Sequence, residues 1–262
     1  MRFFNFITQV LYLLAKPRYR LHALSLIYRK LLPRRDGPQH RKSALKWAKQ
    51  HAVTAEQAIE GLGLYPELHG FDAAALETAS VRVGELGEKM GGAAHLDFLA
   101  DIIRLSKPAR IVETGVALGW SSLAILHTLR QNGFGRLVSV DMAYPGRGLE
   151  AAVGLAVPAE YESSWELLDF PDRPGLKYAL RRFNYEIDVC HYDSDKSYWG
   201  RAYAFPLLWD ALVPGGLLIS DDIQDNEYFS EFAERHRAPY FVVKWKCKYI
   251  GVIKKQKLSV KG

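Results

Sequence analysis

The chain has 262 residues, enough for one large domain or two small ones, and its 48% hydrophobic and 24% charged residues are typical of an ordinary folded protein. This composition excludes a chain that is disordered over most of its length. The net charge of +6 is unevenly distributed, because residues 1–50 carry twelve Lys and Arg against Asp36 alone, whereas residues 51–243 sum to −12. An acidic body therefore lies between two basic ends.

Residues 1–45 are predicted to form a basic amphipathic helical arm and a linker, which begins near residue 32. Apolar residues recur at helical spacing over 3–14 and 21–31, with Arg and Lys between them. Such helices bind a membrane surface or a partner through residues 1–35, or they pack on the main domain or on a second subunit, which would make a homodimer. Both interpretations stay open at this point.

Two further features predict a cytoplasmic protein that is at most peripheral to a membrane. The apolar stretch from Phe3 to Lys16 is shorter than a membrane-spanning helix requires, and the residues after it do not resemble a signal-peptide cleavage site. Cys190 and Cys247 cannot form a disulfide framework and match no zinc-ligand spacing. Cys190 lies in an apolar run, where we expect a core residue.

Residues 46–106 are predicted to be a helical lead-in or cap, and residues 107–262 an α/β domain. Short apolar runs alternate there with amphipathic stretches, which is typical of a Rossmann-like, doubly wound, mostly parallel sheet with helices on both faces. We expect seven strands, near 109–114, 136–141, 165–168, 186–192, 216–221, 239–244 and 249–253. The expected helices cover 119–131, 175–183, 198–212 and 226–236.

The first predicted strand runs into a glycine turn and then a helix. Gly115 and Gly119 would let a ligand approach the backbone, and the helix start leaves free N–H groups. Asp141 ends the next predicted strand, where a carboxylate can accept hydrogen bonds from ribose hydroxyls. Ala117 replaces the second glycine of the dinucleotide pattern, and Glu113 would repel a pyrophosphate. These residues favour the cationic cofactor S-adenosylmethionine over NAD, with a plain tight turn as the remaining alternative.

The segment from Glu113 to Ser122 resembles the E-x-G-x-x-x-G-[YW]-S motif of class I S-adenosylmethionine-dependent methyltransferases, in the form typical of small-molecule O-methyltransferases. The segment Met90-Gly91-Gly92 is similar to the part that those enzymes place before the motif to close over the cofactor. The resemblance implies that the cofactor-binding residues are Met90, Glu113, Thr114, Gly115, Gly119, Trp120, Ser121, Ser122, Asp141, Met142 and Asp193.

A second charged cluster follows the predicted strand 186–192. Asp193 and Lys196 come after it, and Asp221 and Asp222 follow the next strand. Because ligands of open α/β sheets bind outside the carboxyl ends of the strands, we expect these side chains at one edge. Three carboxylates suit a hard divalent cation, magnesium or manganese, held by Asp193, Asp221 and Asp222. Alternatively, Asp221 and Asp222 cap the helix that follows.

Lys196 is the candidate general base. An ammonium whose pKa is lowered by burial or by a metal could take a proton from a substrate hydroxyl, and the alternative is a salt bridge to Asp193 or Asp195. The segment Asp193-Ser194-Asp195-Lys196 resembles the D-x-D-K motif of the metal-dependent caffeoyl-coenzyme A and catechol O-methyltransferases. That resemblance implies that Asp193 holds the metal at the catalytic centre and that Lys196 is the base.

Two other groups of methyltransferases have sequence motifs similar to parts of this charged cluster. Asp221-Asp222 is more similar to the metal-dependent sugar O-methyltransferases of antibiotic pathways, which leaves the substrate class open. The stretch from Asp193 to Tyr198 resembles the D-S/G-D-H-S-Y motif of a broad bacterial methyltransferase group, with Lys196 in place of His. In such a protein the base could differ or be absent.

The sequence therefore predicts an S-adenosylmethionine-dependent O-methyltransferase that acts on a small-molecule or sugar hydroxyl with the help of a divalent cation. One alternative is a metal-independent methyltransferase of the same fold. Another is a nonenzymatic Rossmann-like protein that binds a membrane or nucleic acid, although the acidic middle argues against extended nucleic-acid contact. An NAD-dependent oxidoreductase is a third alternative, since Tyr192 and Lys196 have the required spacing but straddle a strand end.

Overall fold

The computed structural model describes residues 2–65, 67–84, 95–142 and 152–256. The helices in these ranges are α1 (Arg2–Ala15), α2 (Arg20–Arg29), α3 (Pro38–His51), α4 (Ala55–Gly61), α5 (Ala73–Val83), α6 (Leu96–Ser106), α7 (Trp120–Asn132), α8 (Asp172–Arg181), α9 (Tyr198–Ala211) and α10 (Tyr228–His236). The strands are β1 (Ala52–Val53), β2 (Arg110–Thr114), β3 (Arg136–Asp141), β4 (Trp165–Asp169), β5 (Ile187–Tyr192), β6 (Leu212–Ser220), β7 (Tyr240–Trp245) and β8 (Lys248–Lys254).

The strands form one sheet in the order β1-β7-β8-β6-β5-β2-β3-β4. Neighbouring strands are parallel except for β8, which pairs antiparallel with both β6 and β7. This confirms the mostly parallel Rossmann-like fold. The described sheet has eight strands rather than the seven predicted, because Ala52–Val53 pairs with β7 and is too short to show an alternating pattern.

Helices cover both faces of the sheet. Successive residues of a strand point to opposite faces, so Val112 of β2 packs in one core and Ile111 in the other. The first core includes Leu176 of α8 and Phe205 of α9, whereas Ile102 of α6 belongs to the second. The central strands are therefore buried on both sides, and only their ends are open to a ligand.

Two helices begin before the residues expected from the sequence, and a proline in the first turn explains both. The linker predicted from residue 32 ends early, since helix α3 begins at Pro38, which occupies the first helical turn. Helix α8, predicted to begin at residue 175, begins at Asp172. A proline in the first turn removes an N–H that would have no intrahelical partner, so it starts a helix rather than breaking it.

The basic arm packs on the main domain of the same chain. Leu13, Tyr19 and Ala23 form a small core against which Met142 packs. The Tyr19 hydroxyl donates a hydrogen bond of 2.8 Å to Asp169 at the end of β4. No helix in the described part of the chain is both long enough and apolar enough to cross a membrane.

Candidate functional site

The centre of the sheet contains the point at which the strand order reverses. The chain leaves β2 toward β3 and β4 and then returns to β5 on the other side of β2. In open α/β sheets, ligands bind in the crevice outside the strand ends at such a point. Here the Asp193 N–H after β5 donates to the Thr114 carbonyl at the end of β2, at 2.8 Å. The two sequence motifs therefore meet at the switch point, as expected.

Gly115 is required by the neighbouring chain segment. Its φ is +83°, and a Cβ there would lie 2.5 Å from the Asp193 carbonyl oxygen and 2.8 Å from the Ser194 nitrogen. Gly119, at φ +91°, precedes α7, and a Cβ there would lie 2.9 Å from the Gly154 Cα. The two glycines thus allow close packing of the chain around the turn, a constraint that exists before any ligand binds.

Gly133 offers a matched control for Gly115, because its φ is +80° but a Cβ there would meet no described atom within 4 Å beyond its chain neighbours. We expect Gly115→Ala to lower the free energy of unfolding by about 3 kcal/mol, the sum of left-handed strain and overpacking. Gly133→Ala should lower it by about 1 kcal/mol, from left-handed strain alone. Urea denaturation of both variants measures the difference. Equal losses would show that the contact with Asp193 is unimportant.

The Glu113 carboxylate is fully buried and is used by its own chain. It accepts hydrogen bonds from the hydroxyls of Ser121 (2.6 Å), Ser122 and Ser139 (2.8 Å). Burial by itself would raise the pKa of Glu113, but hydrogen bonding to His191 and the charge of His191 hold it below the usual value. These side chains bind one another, and the predicted contact of Glu113, Ser121 and Ser122 with a cofactor stays a prediction.

Asp141 stabilises the glycine turn. Its carboxylate accepts the backbone N–H groups of Val116 (2.8 Å), Ala117 (2.6 Å) and Met142 (2.7 Å). Burial raises the pKa of Asp141. A carboxylate has about four lone-pair sites, so about one remains for a ribose hydroxyl. Its role as a cofactor ligand stays a prediction.

The other predicted cofactor-binding residues differ in whether their side chains already have partners in the protein. The Thr114 hydroxyl accepts a hydrogen bond of 2.9 Å from Ser194, and the Trp120 indole N–H has no hydrogen-bond partner among the described residues. Met142 packs against the arm. Met90 lies outside the described residues.

A cavity of about 260 Å³ opens beside Asp141. Val153 and the β4 residues Leu167 and Asp169 line one part of it, and the arm residues Tyr12, Lys16 and Tyr19 line another. The sequence does not identify these arm residues as part of the site. No local pattern could do so, because their place depends on how the arm packs against strands more than 120 residues away.

His191 lies between two buried carboxylates. Its Nδ1 donates to Glu113 at 3.3 Å, and its Nε2 lies 3.7 Å from Asp221 Oδ1. Burial lowers the pKa of His191, but hydrogen bonding and charge from Asp221 and Glu113 outweigh burial and raise it to about 10. The sequence patterns predicted no role for His191, although an ionisable residue inside an apolar strand was an available signal.

The Lys196 ammonium joins two of the predicted catalytic carboxylates. Its Nζ lies 2.8 Å from Asp193 Oδ1 and also contacts Asp222, which Lys248 approaches at 3.3 Å. Burial lowers the pKa of Lys196, but the charges of Asp193 and Asp222 raise it well above its usual value. Burial and the nearby Asp221 raise the pKa of Asp193 to about 7. Lys196 therefore keeps its positive charge between the carboxylates of Asp193 and Asp222.

The predicted metal ligands reach one edge of the sheet but do not surround one point. Asp193 and Asp222 lie on either side of Lys196, whereas Asp221 is directed toward His191. Within the described ranges, no three His, Cys, Asp or Glu side chains are placed to hold a metal ion. The alternative, that Asp221 and Asp222 cap the helix predicted to begin near residue 226, is wrong, because the N-cap of α10 is Glu227 and no side-chain cap hydrogen bond is made there.

Arg201 of α9 fixes the segment after β6. Its guanidinium is fully buried and donates to the carbonyl oxygens of Asp221 and Asp222, both at 2.9 Å, and to Asn226 Oδ1 at 3.1 Å. Asp222 has a φ of +50°, a conformation that non-glycine residues rarely adopt. The buried arginine therefore holds a strained backbone that presents the Asp222 carboxylate to Lys196.

A family model and several solved structures that are similar to this chain are all methyltransferases. Residues 112–223 match a family described as a methyltransferase domain. The structure is similar to the O-methyltransferase TomG from Streptomyces achromogenes, which is involved in tomaymycin synthesis and was solved with SAM. The two share 16% sequence identity and a TM-score of 0.57 over 79% of this chain and 98% of that chain.

Two further solved structures share 16% sequence identity with the chain. One is the SAH-bound methyltransferase PaMTH1 from Podospora anserina, with a TM-score of 0.56 over 86% of this chain and 98% of that chain. The other is the O-methyltransferase from Bacillus cereus in complex with SAH, with a TM-score of 0.53 over 79% of this chain and 100% of that chain. No curated protein matches the sequence. At these identities the structural likeness shows the fold.

Proposed function

We propose that the protein methylates a hydroxyl oxygen of a small molecule with S-adenosylmethionine, because residues 112–223 match a methyltransferase-domain family and the fold is similar to that of an O-methyltransferase solved with SAM. The observation that carries this proposal is the contact between the two motifs at the switch point. The turn at Gly115 packs directly against the backbone of Asp193, whose carboxylate lies beside Lys196. A cofactor on the turn and an acceptor at Asp193 would therefore be neighbours.

The cofactor side of the site is formed by the turn after β2. The N–H groups at the start of α7, one acceptor position on Asp141 and the cavity beside it are available to a nucleoside. Bound S-adenosylmethionine would supply an electrophilic methyl group on its sulfonium sulfur, and in-line attack by the acceptor oxygen on this methyl carbon would break the methyl–sulfur bond and release S-adenosylhomocysteine. The protein contributes by holding the reacting atoms in an attack geometry.

The acceptor side needs a group that removes the hydroxyl proton. Asp193 suits this role, because a base is most effective when its pKa is near the working pH and the pKa of Asp193 is raised to about 7. The Lys196 ammonium beside it would stabilise the negative charge that develops on the acceptor oxygen. This assigns Lys196 the role of an electrostatic stabiliser instead of the base that the sequence predicts.

A reaction assisted by a divalent cation bound at this edge is the second candidate function. The observation that favours it is that the Asp221 carboxylate lies close enough to Asp193 to raise the pKa of Asp193. The residues as arranged do not fit a metal ion, because the Lys196 ammonium lies between Asp193 and Asp222. The prediction of a metal ion and the prediction of a lysine base are linked. Asp193 and Asp222 raise the pKa of Lys196, so Lys196 could act as a base only if these carboxylates were neutralised. A lysine base is therefore expected only where a bound cation neutralises Asp193 and Asp222.

Calorimetry with S-adenosylmethionine and S-adenosylhomocysteine tests the proposal. We expect both to bind, and we expect the protein to form S-adenosylhomocysteine when it is incubated with S-adenosylmethionine and a panel of catechols, phenols and sugars. EDTA treatment should leave the rate within twofold. Binding of neither cofactor would contradict the enzyme function, and a rate lost with EDTA and restored by magnesium or manganese would favour the metal-assisted reaction.

A further inference from the structure

The outer side of α2 presents apolar side chains to solvent. Leu21, Leu24 and Tyr28 on the helix and Leu31 just after it are all exposed, Leu21 by 70% and Leu31 by 81%. Their spacing of three and four residues places them on one side of the helix. We call this set the apolar stripe. A single exposed leucine would need no explanation, but four large apolar side chains in a row along α2 and the turn after it mark a surface that something covers.

The opposite side of α2 faces the main domain, so the orientation of the stripe is fixed. His22 and Ala23 are buried, and Arg29 forms an ion pair with Asp195. The stripe therefore cannot turn inward without breaking these contacts. Because Asp195 immediately precedes Lys196, the arm is also fastened directly beside the candidate catalytic cluster.

The charged residues that flank the stripe along the chain are all positive. Residues 1–35 contain eight Lys and Arg and no Asp or Glu. Arg18, Arg20, Lys30 and Arg34 are exposed. An apolar stripe among cations is the composition of helices that lie in the interface of an anionic bilayer. A second copy of the chain that used the same face would bring like charges together, which disfavours a symmetric dimer through this surface.

We propose that the apolar stripe and its surrounding cations bind the surface of an anionic lipid bilayer. The arm lies in the interface, since no described helix can cross a membrane. The leucine and tyrosine side chains enter the acyl boundary, and the arginines and lysines contact lipid phosphates. Docked in this way, the protein holds its catalytic edge next to the bilayer.

Flotation of the full chain with phosphatidylcholine vesicles, with and without 30% phosphatidylglycerol, tests this proposal. We expect at least tenfold tighter binding to the anionic vesicles, weakening as salt is raised. Leu21→Glu/Leu31→Glu should weaken that binding at least tenfold. Tyr65→Glu/Val81→Glu is the matched control, because these side chains are 83% and 81% exposed away from the arm and the charge change is identical.

The control variant should bind vesicles as the wild type does. S-adenosylmethionine affinity, measured by calorimetry, should be unchanged in both variants, which separates this proposal from the proposed function. Equal binding to neutral and anionic vesicles, or no binding, would overturn the proposal. It would also be overturned by a dimer, detected by light scattering, that Leu21→Glu/Leu31→Glu dissociates, because the stripe would then be a self-association surface.

Discussion

Asp193→Asn is expected to lower kcat by about 10²–10³-fold, because the amide keeps the shape of the side chain but cannot accept the acceptor's proton. Lys196→Met should lower kcat by a similar factor, since it removes the positive charge beside the developing oxyanion. Steady-state kinetics with an acceptor found in the panel measures both. The control is Asp188→Asn, at the opposite end of β5, where the carboxylate binds Arg110. It should change kcat by less than twofold.

The pH dependence separates an aspartate base from a lysine base. Because the pKa of Asp193 is raised to about 7 and a base must be deprotonated, kcat/KM should rise through pH 7 and then level off. The pKa of Lys196 is raised far above its usual value, so a lysine base would give a rate that still rises at pH 10. A profile of that second kind, with full activity in Asp193→Asn, would disprove the assignment of the base to Asp193.

His191→Gln is expected to lower the free energy of unfolding by about 3–5 kcal/mol, measured by urea denaturation at pH 7. The substitution removes the cation that lies between the buried carboxylates of Glu113 and Asp221, and an uncompensated buried charge is costly. His127→Gln is the control, because His127 pairs with the more exposed Asp72 at 3.3 Å. It should cost about 1 kcal/mol or less. A His191 variant as stable as this control would show that the buried charges do not depend on His191.

The free energy of unfolding should also fall as the pH rises, because His191 loses its proton. The pKa of His191 is raised to about 10 in the folded protein, above the ordinary value of about 6.5 that it has when unfolded. Its contribution is therefore complete below about pH 6.5 and is lost as the pH rises toward 10. We expect a decline of about 2 kcal/mol between pH 7 and 9 that is absent in His191→Gln. An identical decline in the variant would assign it to other groups.

The sequence predicted the fold well because the signals of a βαβ fold are local. Apolar runs, amphipathic stretches and glycine turns located β2 to β8 and the helices α7, α9 and α10 within a few residues. The rule that ligands bind at the carboxyl ends of parallel strands then placed Asp193 and Asp222 at one edge correctly. Strand β1 was missed because a two-residue strand has no pattern of its own.

The partners of the charged residues were decided by the tertiary structure alone. Glu113 was interpreted as a ligand for a cationic cofactor, but the pairing of β2 with β5 sets it opposite His191, 78 residues later, and surrounds it with serine hydroxyls. Lys196 was interpreted either as a base with a lowered pKa or as the partner of a salt bridge to Asp193 or Asp195, and the structure forms the salt bridge to Asp193, where the carboxylates of Asp193 and Asp222 raise the pKa of Lys196. Both outcomes depend on charges brought together by strand pairing, which local sequence does not encode.

The sequence by itself determined the strand order along the chain, the two motifs and the separation of a basic arm from an acidic body. Only the tertiary structure decided which partners the charged residues have. Folding buries Glu113 beside His191 and places Lys196 between two carboxylates, and it fastens the arm through Arg29 and Asp195 so that its leucines face outward. The physical reason is that hydrophobic periodicity acts between neighbours in sequence, whereas electrostatic pairing and desolvation act between neighbours in space.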